Sequence, residues 1–174
     1  MIIKDKKFVK LIDNEQIGQS IRRLARKINK DYKERNPLFI VVLNGAFMFA
    51  GDLMKEVKSK VRISFIKVSS YDAMESTGNI KQLIGLNENI FQQDVVIVED
   101  IIDSGQTAKK VTDELQTLGA RSVSIVTLLR KNKEIHTKLP VDYVGFDIEN
   151  RFVVGYGLDY DGLGRNLKHI YALK

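Results

Sequence analysis

The apolar positions near the start of the chain recur every three to four residues, which predicts an amphipathic helix. The set at this spacing consists of Ile17, Ile21, Leu24, Ile28 and Tyr32. Asp13 and Gln16 precede it at the spacing of a capping box. Asn36-Pro37 then interrupts the pattern. We therefore predict a helix that begins near residue 13 and ends before Pro37.

Further along, short continuous apolar runs alternate with helical segments. Strands are predicted at residues 38–43, 62–69, 95–98 and 122–129, with shorter candidates at 141–146 and 152–154; helices are predicted at about 46–57 and 107–118. Residues 71–80 are polar and have no stable period, which predicts a loop. Strands that alternate with helices indicate an α/β protein whose mostly parallel central sheet is flanked by helices.

A parallel sheet also predicts where a ligand binds, because such sheets bind ligands beyond the carboxyl ends of their strands. Three predicted strands end in polar pairs: Asn44-Gly45, Glu99-Asp100 and Arg130-Lys131. Neither a Walker A pattern nor a Gly-x-Gly-x-x-Gly fingerprint is present, which argues against P-loop and dinucleotide chemistry. The ligand must therefore be held by a different arrangement of polar groups.

The segment 95–108 offers one. Its β-branched run stops at Glu99 and Asp100, a third acid follows at Asp103, and a Ser104-Gly105-Gln106-Thr107 turn opens the next helix. Carboxylates suit sugar hydroxyls and Mg²⁺, and the N–H groups at a helix start suit a phosphate monoester. An ordinary corner in which Asp103 or Ser104 only caps the helix explains one polar residue, but not the whole group. The segment predicts a site for a phosphorylated sugar.

Composition limits the alternatives. The 174 residues, 44% of them hydrophobic and 29% charged, fit one soluble globular domain spanning residues 1–174. The absence of cysteine excludes disulfides and thiolate metal sites. The N-terminal residues lack the apolar core of a signal peptide, and no apolar run is long enough to span a bilayer. We expect a cytoplasmic protein with no membrane partner.

The net charge of +6 does not by itself indicate nucleic-acid binding, because the basic residues are dispersed. The densest group lies in the first predicted helix, whose other face is apolar: Arg22, Arg23, Arg26, Lys27 and Lys30. Such a group is typical of a solvated helix face. A basic protein also attracts a small polyanionic substrate, so the net charge does not decide between the two kinds of partner. We expect no nucleic-acid partner.

Residues 95–108 resemble the phosphoribosyl pyrophosphate motif of the type I phosphoribosyltransferases. Residues from about 38 to 171 are similar to the hypoxanthine(-guanine) phosphoribosyltransferases, most specifically in the runs 142–148 and 151–160, with support from Ser70-Tyr71 and Arg165-Asn166-Leu167. The resemblance implies the type I phosphoribosyltransferase fold. It places the core at about 36–140 and forms a small hood from the N-terminal segment and residues of about 141–174.

The activity implied by the resemblance is purine salvage. The 5-phosphoribosyl group of phosphoribosyl pyrophosphate would pass to N9 of hypoxanthine or guanine, giving IMP or GMP and pyrophosphate, with Mg²⁺ as cofactor. The family also implies a homodimer or homotetramer. A xanthine-preferring phosphoribosyltransferase stays open, as does a non-catalytic regulator that senses phosphoribosyl pyrophosphate while binding nucleic acid. The preference between hypoxanthine and guanine is not fixed by these motifs.

The resemblance assigns roles within the acidic segment. Glu99 and Asp100 would hold the ribose hydroxyls beside Mg²⁺. Asp103 would face the purine N7, either as a general base or as a stabiliser of the positive charge that develops on the ring. The 5′-phosphate would be cradled by the turn Asp103, Ser104, Gly105, Gln106 and Thr107.

It also assigns a purine pocket. Lys131 would donate to the exocyclic oxygen, which discriminates 6-oxopurines because a lysine cannot accept a hydrogen bond from an adenine amino group. Phe152 would stack on the base, Val153 would bond to it through its backbone, and Asp159 would complete the pocket and hold a second Mg²⁺. The metal-associated set is thus Glu99, Asp100 and Asp159. A surface lysine, a core phenylalanine and a turn aspartate are the alternatives for these three side chains.

Pyrophosphate would contact Asn44, Gly45 and Arg165. Family members often carry Lys or Arg where Asn44 stands, and a cis peptide there, so this chain keeps the backbone donors and loses a charge. Ser70 and Tyr71 would close over the site from a flexible loop. His136 and His169 lack a partner at metal-ligand spacing and are interpreted as structural.

Overall fold

The computed structural model describes residues 1–68, 85–131 and 139–174. The bounds of its elements are β1 Ile2–Ile3, β2 Lys6–Ile12, α1 Asn14–Asp31, β3 Leu38–Leu43, α2 Phe47–Glu56, β4 Arg62–Lys67, β5 Asp94–Ile102, α3 Gln106–Thr117, β6 Ser122–Lys131, β7 Tyr143–Ile148, β8 Val153–Val154 and β9 Ile170–Leu173.

Helix α1 begins at the predicted capping box. The Asp13 carboxylate accepts from the Gln16 backbone N–H at 2.9 Å, and the Gln16 side chain accepts from the Asp13 N–H at the same distance. Both bonds satisfy N–H groups that the first turn leaves without helical partners. The predicted apolar stripe is buried in the core. The prediction of this helix is confirmed.

The central sheet has five parallel strands in the order β4-β3-β5-β6-β7. Successive side chains of a strand point to opposite faces, so β3 and β5 must be apolar on both faces to lie between two helical layers. Their residues divide accordingly: Phe39, Val41, Val96 and Val98 pack with α1 and α2, whereas Leu38, Ile40, Val95 and Ile97 pack with α3. The predicted α/β class with a parallel sheet flanked by helices is confirmed.

A second sheet joins the two ends of the chain in the antiparallel order β1-β2-β9-β8. It forms the predicted hood, but its strands β1, β2 and β9 were absent from the sequence prediction. In β2 only Phe8 and Ile12 are buried, and a register shift between Lys10 and Ile12 breaks the two-residue period. The bulge explains why the hydrophobic pattern does not reveal this strand.

Strand β7 is an edge strand of the parallel sheet, although it lies inside the range of about 141–174 that was predicted for the hood. It also starts two residues later than predicted, because Asp142 bonds to Ile125 instead: the Ile125 N–H donates to its carboxylate at 2.8 Å and its own N–H donates to the Ile125 carbonyl. Helix α1 packs on the same sheet. The strands of the hood sheet lie within residues 2–12 and 153–173, which precede and follow the central sheet in the sequence.

Two sequence predictions fall partly or wholly outside the described residues: the loop at 71–80, and the last residue of the strand predicted at 62–69. Within the parts of the chain that are described, no helix is both long and apolar enough to cross a membrane.

Gly145 of β7 accepts hydrogen bonds from helix α1 and lies close to the neighbouring strand β6. The Ser20 hydroxyl and the Arg23 guanidinium donate to the Gly145 carbonyl at 3.2 and 2.7 Å. A Cβ at position 145 would lie 2.4 Å from the Leu128 carbonyl oxygen on the neighbouring strand. The close contact is with backbone, which cannot rotate away.

We predict that Gly145→Ala lowers the free energy of unfolding by about 1–3 kcal/mol, the usual cost of overpacking. Gly51→Ala is the matched control: Gly51 lies in α2 with open space around it, and alanine there should stabilise the protein by about 0.5–1 kcal/mol. Urea unfolding of both variants measures the two values. Equal effects of the same sign would contradict the close-packing explanation.

Candidate active site

The three polar strand ends meet at one edge of the sheet, since β3, β5 and β6 are adjacent and parallel. The backbone of Gly45 lies directly against the Asp100 carboxylate, and a Cβ on Gly45 would overlap it. The sequence-predicted convergence of these segments is therefore what the structure contains. It also explains why a glycine follows Asn44.

Glu99 and Asp100 lie among the last four residues of β5, which continues past the predicted end at residue 98 to Ile102; Glu99 is buried and Asp100 is partly buried. Glu99 is only 5% exposed, and burial, followed by the nearby Asp100 charge, raises the pKa of Glu99 well above its ordinary value. Burial also raises the pKa of Asp100 to about 6, although its carboxylate accepts from the Ile101 N–H at 2.9 Å and lies in the field of Arg165. Two adjacent acids kept out of water favour a ligand that brings hydroxyl donors or positive charge.

The turn after β5 leads directly into α3. Gly105 is the N-cap residue with a left-handed φ of 73°, and no side chain caps the helix. The N-cap position is thus occupied by neither Asp103 nor Ser104, although the Ser104 hydroxyl accepts a long hydrogen bond of 3.4 Å from the Gln106 N–H. The first turn of α3 carries no acid, so its N–H groups and dipole favour an anion.

A small cavity of about 90 Å³ lies over this turn. It is lined by Glu99, Ile101, Ile102, Asp103, Ser104, Gly105, Thr107 and Ala108. Glu99, Asp103 and the N–H groups at the helix start thus border one recess. Chemically, that combination suits a ligand with both hydroxyl groups and a phosphate.

Lys131 and Asp103 form an ion pair of 2.7 Å across the mouth of the site. Lys131 is mostly buried, with 12% of its side chain exposed. Its neighbour Arg130 instead pairs with Asp147, at 2.6 and 3.1 Å. Of the two basic residues at the end of β6, Lys131 is therefore the one whose side chain meets the acidic turn, whereas that of Arg130 does not.

The hood supplies an exposed aromatic side chain. Phe152 is 46% exposed, and its ring contacts those of Phe8 and Tyr160 at centroid distances of 6.3 and 5.8 Å. Val153 is buried and pairs with Ala172 in the antiparallel sheet. Phe152 is thus held at its edge by other rings while one part of it stays open, unlike a core phenylalanine.

Asp159 and Arg165 lie together in the last loop of the hood. Their side chains pair at 2.6 Å, and a second Arg165 nitrogen donates to the Gly157 carbonyl at 2.7 Å. Asp159 also accepts from the Gly162 N–H at 2.7 Å, so it shapes a turn as well. Both charges act on the pKa of Asp100, which brings this loop to the acidic end of β5.

The hood and the loop after β3 touch through two glycines. The Leu43–Asn44 peptide is cis, as the resemblance implies. Gly157, with a φ of 101°, approaches so closely that a Cβ there would overlap the Gly45 carbonyl oxygen. Gly157 and the adjacent Tyr156 were not predicted as site residues, although Gly155-Tyr156-Gly157 is the kind of pattern that marks a close backbone approach.

The remaining residues singled out in the sequence are the pair Ser70-Tyr71 and two histidines. Ser70, Tyr71 and His136 are outside the described residues. His169 accepts from the Asn14 backbone N–H through Nδ1 at 2.9 Å, at the start of α1, which agrees with a structural role.

The set Glu99, Asp100 and Asp159 was predicted to be associated with metal. Across residues 1–68, 85–131 and 139–174, no three acids, histidines or cysteines converge into a protein-only metal cage. Mg²⁺, however, usually takes only one or two carboxylates and completes its shell with water and substrate phosphates. The buried pair at the end of β5, with Asp159 nearby, fits that second kind of site.

Comparison with known proteins places these features in a family. The model of the phosphoribosyl transferase domain matches residues 10–161. A hypoxanthine-guanine phosphoribosyltransferase of Streptococcus pyogenes is 40% identical over 165 residues, covering 94% of this chain and 92% of that protein. A bifunctional protein TilS/HprT of Listeria monocytogenes is 42% identical over 165 residues, and the chain, 94% covered, spans only 26% of its length.

Solved structures agree. A hypoxanthine-guanine phosphoribosyltransferase from Bacillus anthracis superposes with a TM-score of 0.86 at 35% identity, covering 98% of this chain and 99% of the other. At that identity and coverage the similarity extends over both sheets.

We predict that Asp100→Asn stabilises the free protein near pH 7.5 by up to about 3 kcal/mol, because the parent buries a charge there and the amide does not. The parent's pKa is raised by folding, so its penalty is complete above about pH 6 and vanishes below its unfolded pKa. The gain from the substitution must therefore shrink between about pH 7.5 and pH 4.5. Urea unfolding at both pH values measures it.

Asp94→Asn is the control with the opposite sign. Hydrogen bonds from Arg121 hold the pKa of the buried Asp94 below its ordinary value. This variant should be destabilised near pH 7.5, with a smaller loss at low pH. A pH-independent effect of Asp100→Asn, or a loss of stability near pH 7.5, would contradict the interpretation of the buried pair.

Proposed function

Because the chain belongs to the phosphoribosyl transferase family, we propose that it transfers the 5-phosphoribosyl group of phosphoribosyl pyrophosphate to N9 of hypoxanthine and of guanine. The products are IMP or GMP and pyrophosphate, and the reaction serves purine salvage. One observation carries the proposal: the buried Glu99 and the start of helix α3 border the same recess at the carboxyl edge of the sheet, and Asp100 follows Glu99 directly in β5. That recess matches the two ends of a ribose 5-phosphate.

The sugar phosphate binds first in this scheme. The N–H groups of residues 104–107 and the hydroxyls of Ser104 and Thr107 hold the 5′-phosphate. Glu99 and Asp100 accept hydrogen bonds from the two ribose hydroxyls and so fix the orientation of C1 toward the base. The ligand thereby supplies the donors that the raised pKa values of these acids indicate they need.

Mg²⁺ is the proposed cofactor: Glu99 and Asp100 would hold one ion through the substrate, and Asp159 of the hood would hold a second. When bound, it neutralises charge on the departing pyrophosphate. Arg165 and the backbone of Asn44 and Gly45 contact the same leaving group. Since Asn44 carries no charge, Arg165 is the cation that we assign to pyrophosphate at this end of the site.

The purine meets the Lys131–Asp103 pair. The exocyclic oxygen of a 6-oxopurine takes a hydrogen bond from Lys131, while Asp103 faces N7 and accepts the proton that the base must lose. An adenine amino group cannot accept from the ammonium, which selects against adenine. The base stacks on the open part of Phe152 and bonds to the Val153 backbone.

Water must be kept from the sugar cation that forms as pyrophosphate leaves. We assign closure to the segment with Ser70 and Tyr71. The proposal also includes a homodimer or homotetramer, which sedimentation would measure, and a cytoplasmic location.

The reaction is tested by absorbance assays with Mg²⁺, phosphoribosyl pyrophosphate and each of hypoxanthine, guanine, xanthine and adenine. We expect turnover of hypoxanthine and guanine, with adenine at least about 100-fold poorer in kcat/KM. Asp103→Asn should lower kcat by about 100-fold or more, the contribution typical of a general base, with the fold intact by circular dichroism. Preferred turnover of xanthine, or unchanged kcat in the variant, would contradict the substrate assignment or the role of Asp103 respectively.

Lys131→Ala tests the purine pocket. Loss of a hydrogen bond from a charged donor should lower kcat/KM for hypoxanthine by about 10- to 100-fold. Arg130→Ala removes a neighbouring cation that pairs with Asp147 and should change kcat/KM less than about threefold. Equal losses in the two variants would show a general effect of charge and remove Lys131 from the pocket.

A further inference from the structure

We propose that the hydrogen bond between Tyr156 and Asp52 positions the hood on the loop that holds pyrophosphate, which makes Tyr156 a positioning residue for the transfer reaction. The inference rests on the proposed function, because it assigns a task within the same site. It concerns two residues that the motif 95–108 and the purine pocket do not include.

The bond connects two separate parts of the fold. The Tyr156 hydroxyl donates to the Asp52 carboxylate at 2.5 Å. Asp52 lies in α2, the helix that follows the Asn44-Gly45 loop, whereas Tyr156 lies in the hood between β8 and β9. Tyr156 is 2% exposed and belongs to the buried cluster formed by residues of α1, α2 and the central sheet. Packing therefore holds the tyrosine end of this hydrogen bond in place.

Charge strengthens this bond. Burial would raise the pKa of Asp52, but hydrogen bonds from Lys55 and Tyr156 outweigh it and hold the pKa below its ordinary value. Burial, together with the Asp52 hydrogen bond, raises the pKa of the Tyr156 hydroxyl, which stays a donor. A hydroxyl that donates to an ionised carboxylate forms one of the stronger hydrogen bonds in proteins.

The residues next to Tyr156 connect this hydrogen bond to the part of the site that is assigned to pyrophosphate. Gly157 packs against the Gly45 carbonyl with no room for a side chain. The Gly157 N–H donates to the Arg165 carbonyl at 2.9 Å, and its own carbonyl accepts from the Arg165 guanidinium at 2.7 Å. A shift of the 155–157 turn must therefore move Arg165 and loosen the contact with Gly45, the two groups assigned to pyrophosphate.

The backbone of this turn is unfavourable, so its contacts must hold it: the Tyr156 N–H donates to the Leu167 carbonyl at 2.7 Å, and the Tyr156 hydroxyl donates to Asp52. Tyr156 has a left-handed φ of 52° between glycines at 102° and 101°. A non-glycine residue in that region is held there only by its surroundings. The purine side of the site is held differently, since Val153 is paired in a sheet and Lys131 lies in β6. Loss of the hydrogen bond between Tyr156 and Asp52 should therefore affect pyrophosphate and spare the base.

Tyr156→Phe removes only the hydroxyl and tests this separation. We expect KM for phosphoribosyl pyrophosphate, and KM for pyrophosphate in the reverse reaction with IMP, to rise by about 5- to 20-fold, a part of the value of a charged hydrogen bond. KM for hypoxanthine should change less than twofold. A merely structural role would lower thermal stability without splitting the two constants.

Tyr143→Phe is the matched control. The Tyr143 hydroxyl donates to Asp31 at 2.8 Å and ties β7 to α1, so it is the same kind of bond from a buried tyrosine in a place that contacts no site loop. It should lower Tm to a similar extent and leave all three KM values within twofold. Parallel changes in both variants, or an unchanged KM for pyrophosphate in Tyr156→Phe, would overturn the proposal.

Asp52→Asn provides a second test if Tyr156→Phe folds poorly. The amide keeps an acceptor oxygen and removes the charge, so the KM for pyrophosphate should rise less than in Tyr156→Phe, and the double variant should be no worse than Tyr156→Phe alone. Additive losses would overturn the pairing. If the parent protein transfers no phosphoribosyl group, the proposed function fails; if it does and the KM values do not split, only this inference fails.

Discussion

The burial of two carboxylates at the end of a strand is the constraint on which the rest of the site depends. Strand β5 is apolar on both faces because helical layers cover it on each side, and its two acids come only among its last four residues, with Glu99 still buried and Asp100 partly buried. Their raised pKa values record the cost of that position. The free protein carries this cost, and a bound sugar with hydroxyl donors and a nearby cation relieves it.

Close backbone contacts bring the remaining groups to that acidic end. Position 45 has no room for a side chain because the Asp100 carboxylate lies against it. Position 157 has none because the Gly45 carbonyl lies against it. These contacts place the hood loop, with Asp159 and Arg165, within electrostatic reach of Asp100. The segments after β3, at the end of β5 and in the hood thus contact one another in series, with a glycine at each contact.

Much of this arrangement could be predicted from local patterns. The capping box of α1, the buried runs of β3 and β5 and the polar strand ends each express a rule that acts over a few residues, and the structure contains them. Only β8 of the hood strands was found in this way, as the candidate at 152–154; β1 has two residues, β9 has four, and β2 is broken by a bulge. Their pairing is decided by contacts between opposite ends of the chain.

Side-chain partnerships were the other limit. Sequence position cannot distinguish Arg130 from Lys131, since the choice depends on which face of β6 meets Asp103. The central claim is best tested by a crystal structure with IMP. We expect the 5′-phosphate on the N–H groups of residues 104–107 and both ribose hydroxyls on Glu99 and Asp100. A nucleotide bound with its ribose away from these acids, or with its phosphate off this turn, would contradict the account.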